Sequence, residues 1–324
     1  MQAKAVAATL AVKGPSRSLT MDAWNRLVRN KAAIFGIVII IFFFLVALFA
    51  PVIAPHNPLQ LNSGKDFLPP VWVEKASNGK SGDPSFLLGT DTLGRDVLSR
   101  VIYGARVSMI VGIIPTIIVL VVGTTIGLLA GYYGGRADNL LMRVTDVIYA
   151  FPDILFFIVV MVALRDTWIG NLFNGLFLLF LALAFVAWVG EARIVRGQAL
   201  SLKNNDFIEA SRCIGAKDSR IMTKHILPNS LGPIIIIAAL AIPGFIITEA
   251  ILGYLGIGIR PATNPEAIFI TSWGALMLEG QTSINAQPWI LLSPAIAVSL
   301  VVLAFTFVGD GLRDAFDPRL RGTS

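Results

Sequence analysis

Residues 32–50 run through nineteen positions without one charged side chain. Five more apolar stretches of similar length follow, at about 107–131, 144–164, 172–190, 231–252 and 289–309. An α-helix of about 20 residues, rising about 1.5 Å per residue, crosses the roughly 30 Å hydrocarbon layer of a bilayer. A water-soluble core is built instead from amphipathic stripes that leave a polar face for solvent. Composition agrees: 55% of the 324 residues are hydrophobic and 14% are charged, whereas soluble domains carry about 25% charged residues. The reading is an all-α, polytopic membrane protein with six spans, the first covering 32–54. An even number of spans returns both termini to one side.

Charge distribution orients the chain, because Lys and Arg gather in loops on the cytoplasmic side. With the N-terminus inside, the inner segments hold 18 of the 26 basic residues and the outer segments 8. Six of those eight lie in one long loop, where the bias is weakly enforced, so an N-in, C-in topology is expected. The net charge of +6 would point to nucleic acid in a soluble protein, but here basic residues flank apolar segments, and nucleic-acid binding is set aside. The tail 1–31 carries Lys4, Lys13, Arg17, Arg26, Arg29 and Lys31. It is too long for the charged region of a signal peptide, and Pro51 stands where a cleavage site would have to lie, so an uncleaved first helix is expected. With Cys213 the single cysteine and His56 and His225 the two histidines, neither an internal disulfide nor a Cys/His metal site is expected.

Two connections exceed simple turns, 55–106 outside and 191–230 inside, and long loops tend to carry function. A permease-like core over 107–309 and a C-terminal tail 310–324 complete the division. The first half of the outer loop reads as irregular. Over 93–107, apolar Leu93, Val97, Val101 and Ile102 oppose Arg95, Asp96, Ser99, Arg100 and Arg106, the pattern of a short interfacial helix. In the second span Gly123, Gly127 and Gly131 clear one helix face for a close neighbour. Pro152 in the third span and Pro243-Gly244 in the fifth are expected to kink or break their helices. Asp146, Asp153 and Glu249 lie within or at the ends of spans; acids are costly in lipid, which makes them candidates for a translocation pathway.

Residues 205–230 read NDFIEASRCIGAKDSRIMTKHILPNS. Asp206 can cap a first helix, with Glu209 three positions on completing a capping box. Phe207, Ala210, Ser211 and Ile214 fall on one small, mildly apolar face, and Gly215 is placed to end the helix in a left-handed turn. Asp218 can start a second helix carrying Ile221, Met222 and His225, which has to stop before Pro228. Such a pair cannot cross the membrane. It reads either as a docking element for the groove of another protein or as a solvated loop.

This segment resembles the cytoplasmic EAA loop of bacterial ABC importer permeases, E-A-A-x3-G-x9-I-x-L-P. Glu209, Ala210, Gly215, Leu227 and Pro228 match in place, Ser211 replaces the second Ala, and His225 stands where the general motif has Ile. The run HILPN, 225–229, is similar to the oligopeptide/dipeptide branch. The resemblance extends over nearly the whole chain. GTDTLGRDVLSRVIYGARVS (89–108), GYYGGRADNLLMRVTDVIYAFPD (131–153), WVGEARIVRGQALSL (188–202), SWGALM (272–277) and GDGLRDAFDPRL (309–320) all look like the C-type permease subunit of peptide ABC importers. ILGYLGIG, 251–258, departs from that pattern, which more often has a Ser-Phe pair before Leu-Gly.

The resemblance implies the six-helix, MetI-like architecture of a type I ABC importer in a bacterial cytoplasmic (inner) membrane. It implies a subunit without enzymatic activity that forms half of a pathway for di- or oligopeptides. The partners it implies are a second permease subunit, two cytoplasmic ATP-binding subunits that hold ATP and Mg, and an extracytoplasmic peptide-binding protein. No cofactor is expected on this chain: Gly79-Lys80-Ser81 resembles the end of a phosphate-binding loop, but Glu74 stands where its first glycine is required. Phe207, Glu209, Ala210, Ser211, Ile214, Gly215 and Pro228 are the expected ATPase-coupling residues. Gly89, Asp91, Gly94, Arg95, Asp96 and Arg100 are the expected binding-protein contact or outer gate. The competing reading is an ion-coupled transporter or channel, with Asp146, Asp153 and Glu249 as a relay; it leaves the docking loop without a role. Within the importer reading, the sequence does not separate peptide from nickel or another small solute.

Overall fold

The structure, a computed structural model, describes residues 19–264 and 267–316. Lys4, Lys13 and Arg17 of the basic tail, and 317–320 of the GDGLRDAFDPRL run, lie outside the described residues. An amphipathic helix, α1 (Leu19–Leu27), leads into α2 (Lys31–Leu48), which Asn30 caps by accepting the amides of Ala32 and Ala33 at 3.0 and 3.2 Å. A single turn, α3 (Ala50–Ile53), ends the first span. An irregular segment, 54–96, precedes α4 (Val97–Tyr133). There follow α5 (Gly135–Tyr149), α6 (Asp153–Ala163), the single turn α7 (Trp168–Asn171), α8 (Leu176–Leu202), α9 (Asp206–Cys213), α10 (Asp218–Ile221), α11 (Leu227–Tyr254), α12 (Trp273–Gln281) and α13 (Pro288–Phe316). The helices α2, α4, α8, α11 and α13 lie in segments long and apolar enough to cross a membrane, and α5 with α6 makes a sixth, bent span.

The 37-residue helix α4 is the axis of the bundle. Gly123, Gly127 and Gly131 lie along its contact with α8 as the spacing predicts. A Cβ added at these positions would come within 2.6 Å of Glu191, 2.5 Å of the Ala192 carbonyl and 2.6 Å of Ala199, so the backbones approach closely only because these side chains are missing. The chief apolar core joins α4, α6, α8 and α11, and a second one joins α2, α4, α11, α12 and α13. At one end of the bundle Ala23, Leu27, Ala33 and Ala315 cluster, and Phe316 lies against Gly232. The two described ends of the chain therefore pack together, and the C-terminal one meets the start of α11, the helix into which α9 and α10 lead. The segment 54–96 and α12 lie at the other end.

The expected boundaries change in places where a partner or a proline decides. The interfacial helix expected over 93–107 does not stand apart: Asp96 caps α4, accepting the Ser99 amide at 3.0 Å, and α4 runs uninterrupted into the second span. Its polar side turns inward. Asp96, Ser99 and Arg100 are buried while Leu93 is exposed, because the 54–96 segment and α12 cover that side with polar partners. The third span, expected as one helix over 144–164, breaks at 150–152, and its halves meet at 78°. Pro152 has no amide hydrogen and forces the residue before it out of the helical region. At Pro243-Gly244, by contrast, α11 continues without a break; Pro243 is buried, and packing by α4, α12 and α13 holds a helix that proline alone would weaken. Pro228 does not stop the chain either. A π turn, Met222–Ile226, in which the Leu227 amide reaches the Met222 carbonyl, carries α10 into α11. It places Pro228 in the first turn of α11, where its missing amide is not needed.

Candidate functional site

The helix α9 is fixed along one side and free along the other. Ile208 is fully buried in a cluster with Tyr132, Val195, Ile221, Ile226 and Ile234, so α9 is anchored in an apolar cluster that α4, α8 and the start of α11 also build. Ser211 is also buried, its hydroxyl donating to the Phe207 carbonyl at 2.8 Å. The face expected from the sequence is thus divided: Ser211 turns inward, while Phe207, Ala210 and Ile214 are exposed, Ile214 to 85%. The capping box does not form. Asn205 is the N-cap, no side chain bonds the first amides, and Asp206 and Glu209 are both exposed.

Gly215 ends α9 as its position predicts. At φ +80° it adopts the left-handed turn open to glycine, its amide reaching the Arg212 carbonyl at 2.9 Å and the Ala216 amide the Ser211 carbonyl at 3.0 Å, a Schellman arrangement. The Tyr132 hydroxyl then donates to Asp218 at 2.7 Å, which ties α10 to the end of α4. The His225 ring stands 6.5 Å from that of Phe207, and Pro228 is exposed.

At the opposite end, Arg100 is 2% exposed and engages two carboxylates through its Nη atoms, while its buried Nε has no hydrogen-bond partner. Its Nη1 donates to Asp91 at 2.6 Å and to Glu279 at 2.5 Å, and its Nη2 donates to Glu279 at 2.8 Å. Arg95 joins through Nε to Asp91 and Nη2 to Glu279, both at 2.7 Å. Two guanidiniums and two carboxylates thereby clasp the 54–96 segment and α4 to α12. Backbone geometry completes the clasp: Gly89 and Gly94 have positive φ, and a Cβ on either would strike the carbonyl of Leu68 or Asn62. Of the six residues expected to form a binding-protein contact or an outer gate, Gly89, Asp91, Gly94, Asp96 and Arg100 are buried and Arg95 is half-buried. These residues build the inside of the clasp, Gly89 and Gly94 through their backbone. Lys80 of the Gly79-Lys80-Ser81 run bonds the Asp66 carbonyl at 2.5 Å and pairs with its carboxylate at 3.2 Å, which holds the Asp66 carboxyl below its usual range.

The three acids considered for a pathway are not brought together. Asp146 is exposed and accepts from Arg193 at 2.7 Å; Asp153 is exposed at the start of α6; Glu249 is fully buried in α11, accepting from the Ser108 hydroxyl at 3.1 Å. The sequence division missed two other acids. Glu279 is the hub of the clasp, and Glu191, assigned to a loop, lies within α8, buried beside Gly123 with neither carboxylate oxygen hydrogen-bonded. Asp138 accepts a bidentate pair of bonds from Arg196 at 2.6 and 2.7 Å and fastens α5 to α8. Among the described residues, no group of three His, Cys, Asp or Glu is placed to hold a metal ion.

Residues 123–322 match the family described as binding-protein-dependent transport system inner membrane component. The chain belongs to this family. Residues 18–70 of this transport-system component further match the N-terminal transmembrane domain of oligopeptide transport permease C. The dipeptide transport system permease protein DppC of Bacillus subtilis (strain 168) is 40% identical, over 96% of this chain and 89% of the relative. The oligopeptide transport system permease protein OppC of the same organism is 39% identical, over 94% and 92%, and OppC of Escherichia coli (strain K12) is 37% identical, over 94% and 93%. Among solved structures, the MetNI methionine ABC transporter in inward-facing conformations superposes with a TM-score of 0.52 at 19% identity, covering 68% of this chain and 96% of that one. The inner membrane component thus has a MetI-like helical fold.

Proposed function

We propose that this chain is the permease subunit of an ATP-driven importer for di- or oligopeptides, forming half of the translocation pathway beside a second permease subunit. The observation that carries the reading is α9. It is a short helix rooted by Ile208 in an apolar cluster shared with α4, α8 and α11, yet it presents Phe207, Ala210 and Ile214 outward. A surface of that kind has a use if it seats in a groove of a moving partner. Rooted in a cluster that three spans share, α9 turns a partner's displacement into a rigid-body movement of the bundle.

Two ATP-binding subunits on the cytoplasmic side hold ATP and Mg and supply that displacement; this chain supplies no catalytic group and no cofactor site. A peptide-binding protein delivers cargo at the other face, where it meets the outer surface of the clasped 54–96 segment. The N-in, C-in orientation rests on the distribution of 18 basic residues against 8, together with the packing of the two described chain ends against each other. Relatives named as dipeptide and oligopeptide permeases support peptide as the cargo.

Cys213, the chain's single cysteine, is exposed on the last turn of α9 and serves as a native reporter. Its alkylation by a maleimide should slow severalfold when the ATPase subunits assemble on the permease pair. Ile214→Asp should abolish both assembly and ATP-dependent peptide uptake, and Gly215→Val or Glu209→Ala should impair uptake. Unchanged labelling on assembly, with normal uptake in all three variants, would overturn the assignment.

A further inference from the structure

Beyond Gly215 the chain folds back into α10 and leaves a groove of about 700 Å³ between the end of α9 and the α10–π segment. Three cations line it: Lys217, the N-cap of α10, Arg220 within α10, and Lys224 in the π turn that follows. All three are exposed, and among the described residues no ion pair or hydrogen bond engages their side chains. The nearest acid in sequence, Asp218, is committed to Tyr132. Ile214 lines the same groove, so the cationic surface is continuous with the exposed apolar face of α9. The bias of basic residues toward the inner side accounts for the presence of cations here, but not for three of them converging unpaired on one groove that an apolar side chain also borders.

We infer that this groove receives an acidic segment of the ATP-binding subunit, so that docking has two parts: an apolar seat for Phe207 and Ile214, and an electrostatic latch made by Lys217, Arg220 and Lys224. The inference rests on the coupling role proposed for α9. The apolar part commits to a protein partner, because an anionic lipid headgroup would neutralise the cations and leave Ile214 in water. Rim charges of this type steer encounter and fix register, and they make binding sensitive to salt.

The test measures affinity of the purified permease pair for its ATPase subunits in lipid-free detergent at about 50 and about 500 mM ionic strength. Wild-type affinity should fall as salt rises. The Lys217→Gln/Arg220→Gln/Lys224→Gln variant should bind about tenfold more weakly at low salt, as three rim pairs of modest strength would give, and should lose most of its salt dependence. The matching Glu variant should bind more weakly still. A Gln variant with wild-type affinity and salt slope overturns the latch. So does a defect that appears only in nanodiscs containing anionic phospholipid, since the groove would then serve headgroups. Ile214→Asp, run in parallel, separates the two claims: if it binds the ATPase normally, the coupling role of α9 fails, whatever the cations do.

Discussion

Arg100 is a cation with almost no contact with water, and such a group is tolerable only while its carboxylates remain in place. Removing Glu279 leaves its charge half-compensated, and Glu279→Ala should destabilise the chain by about 3–5 kcal/mol. Adding Arg100→Met should recover part of that loss, because the stranded charge is then gone. Thermal unfolding of the purified variants in detergent checks both, and a neutral Glu279→Ala would show that the clasp does not hold the two segments together. Glycine offers a second test with an internal control. Gly127→Val drives a side chain into the Ala192 carbonyl and should cost at least about 1–3 kcal/mol, whereas Gly190→Ala, on the same interface helix but with nothing within 4 Å of its added carbon, should be neutral or gain slightly from helix propensity. The spacing of Gly123, Gly127 and Gly131 marks that interface in the sequence itself. Glu279 carried no comparable signal, since its partner Arg100 lies 179 residues away and pairing at that separation leaves no local pattern.

The elements follow hydropathy closely and prolines less closely. Six spans were legible from apolar run length, and α9 with its Gly215 stop from local turn chemistry. Proline was ambiguous because its effect depends on what surrounds it. Pro152 begins an exposed half-helix and breaks the third span, whereas Pro243 is buried among three helices and does not interrupt α11. Capping was misassigned for a related reason: Asp206 and Asn205 are adjacent candidates, and a one-residue shift decides which is the cap. The broken third span makes a distance prediction. Spin labels at Asn139 and Val159 should lie about 24 Å apart between backbones for arms of helical rise meeting at the 78° break. An unbroken helix would place them about 30 Å apart, and Pro152→Ala should move the distribution toward that value. A wild-type distribution centred on the longer distance would remove the break.

At the scale of the whole molecule, the two ends of the bundle have opposite designs. One end is locked: an ion-pair clasp, tight glycine turns and α12 hold the 54–96 segment against α4. The other end exposes a rooted helix with an apolar face and an unpaired cationic groove beside it. A chain with its own ion-driven mechanism would need its membrane acids in one file, yet Asp146, Asp153 and Glu249 sit apart, with Asp146 paired to Arg193. The arrangement fits a subunit whose energy arrives from outside. The most direct measurement is uptake of a labelled dipeptide or oligopeptide into proteoliposomes holding this chain, its partner permease and the ATPase subunits, with the peptide-binding protein supplied outside. Uptake that requires ATP and is lost in Ile214→Asp, while the variant chain remains folded, is the result this account predicts. Uptake by the isolated chain under an ion gradient, without ATP or the other subunits, would contradict it.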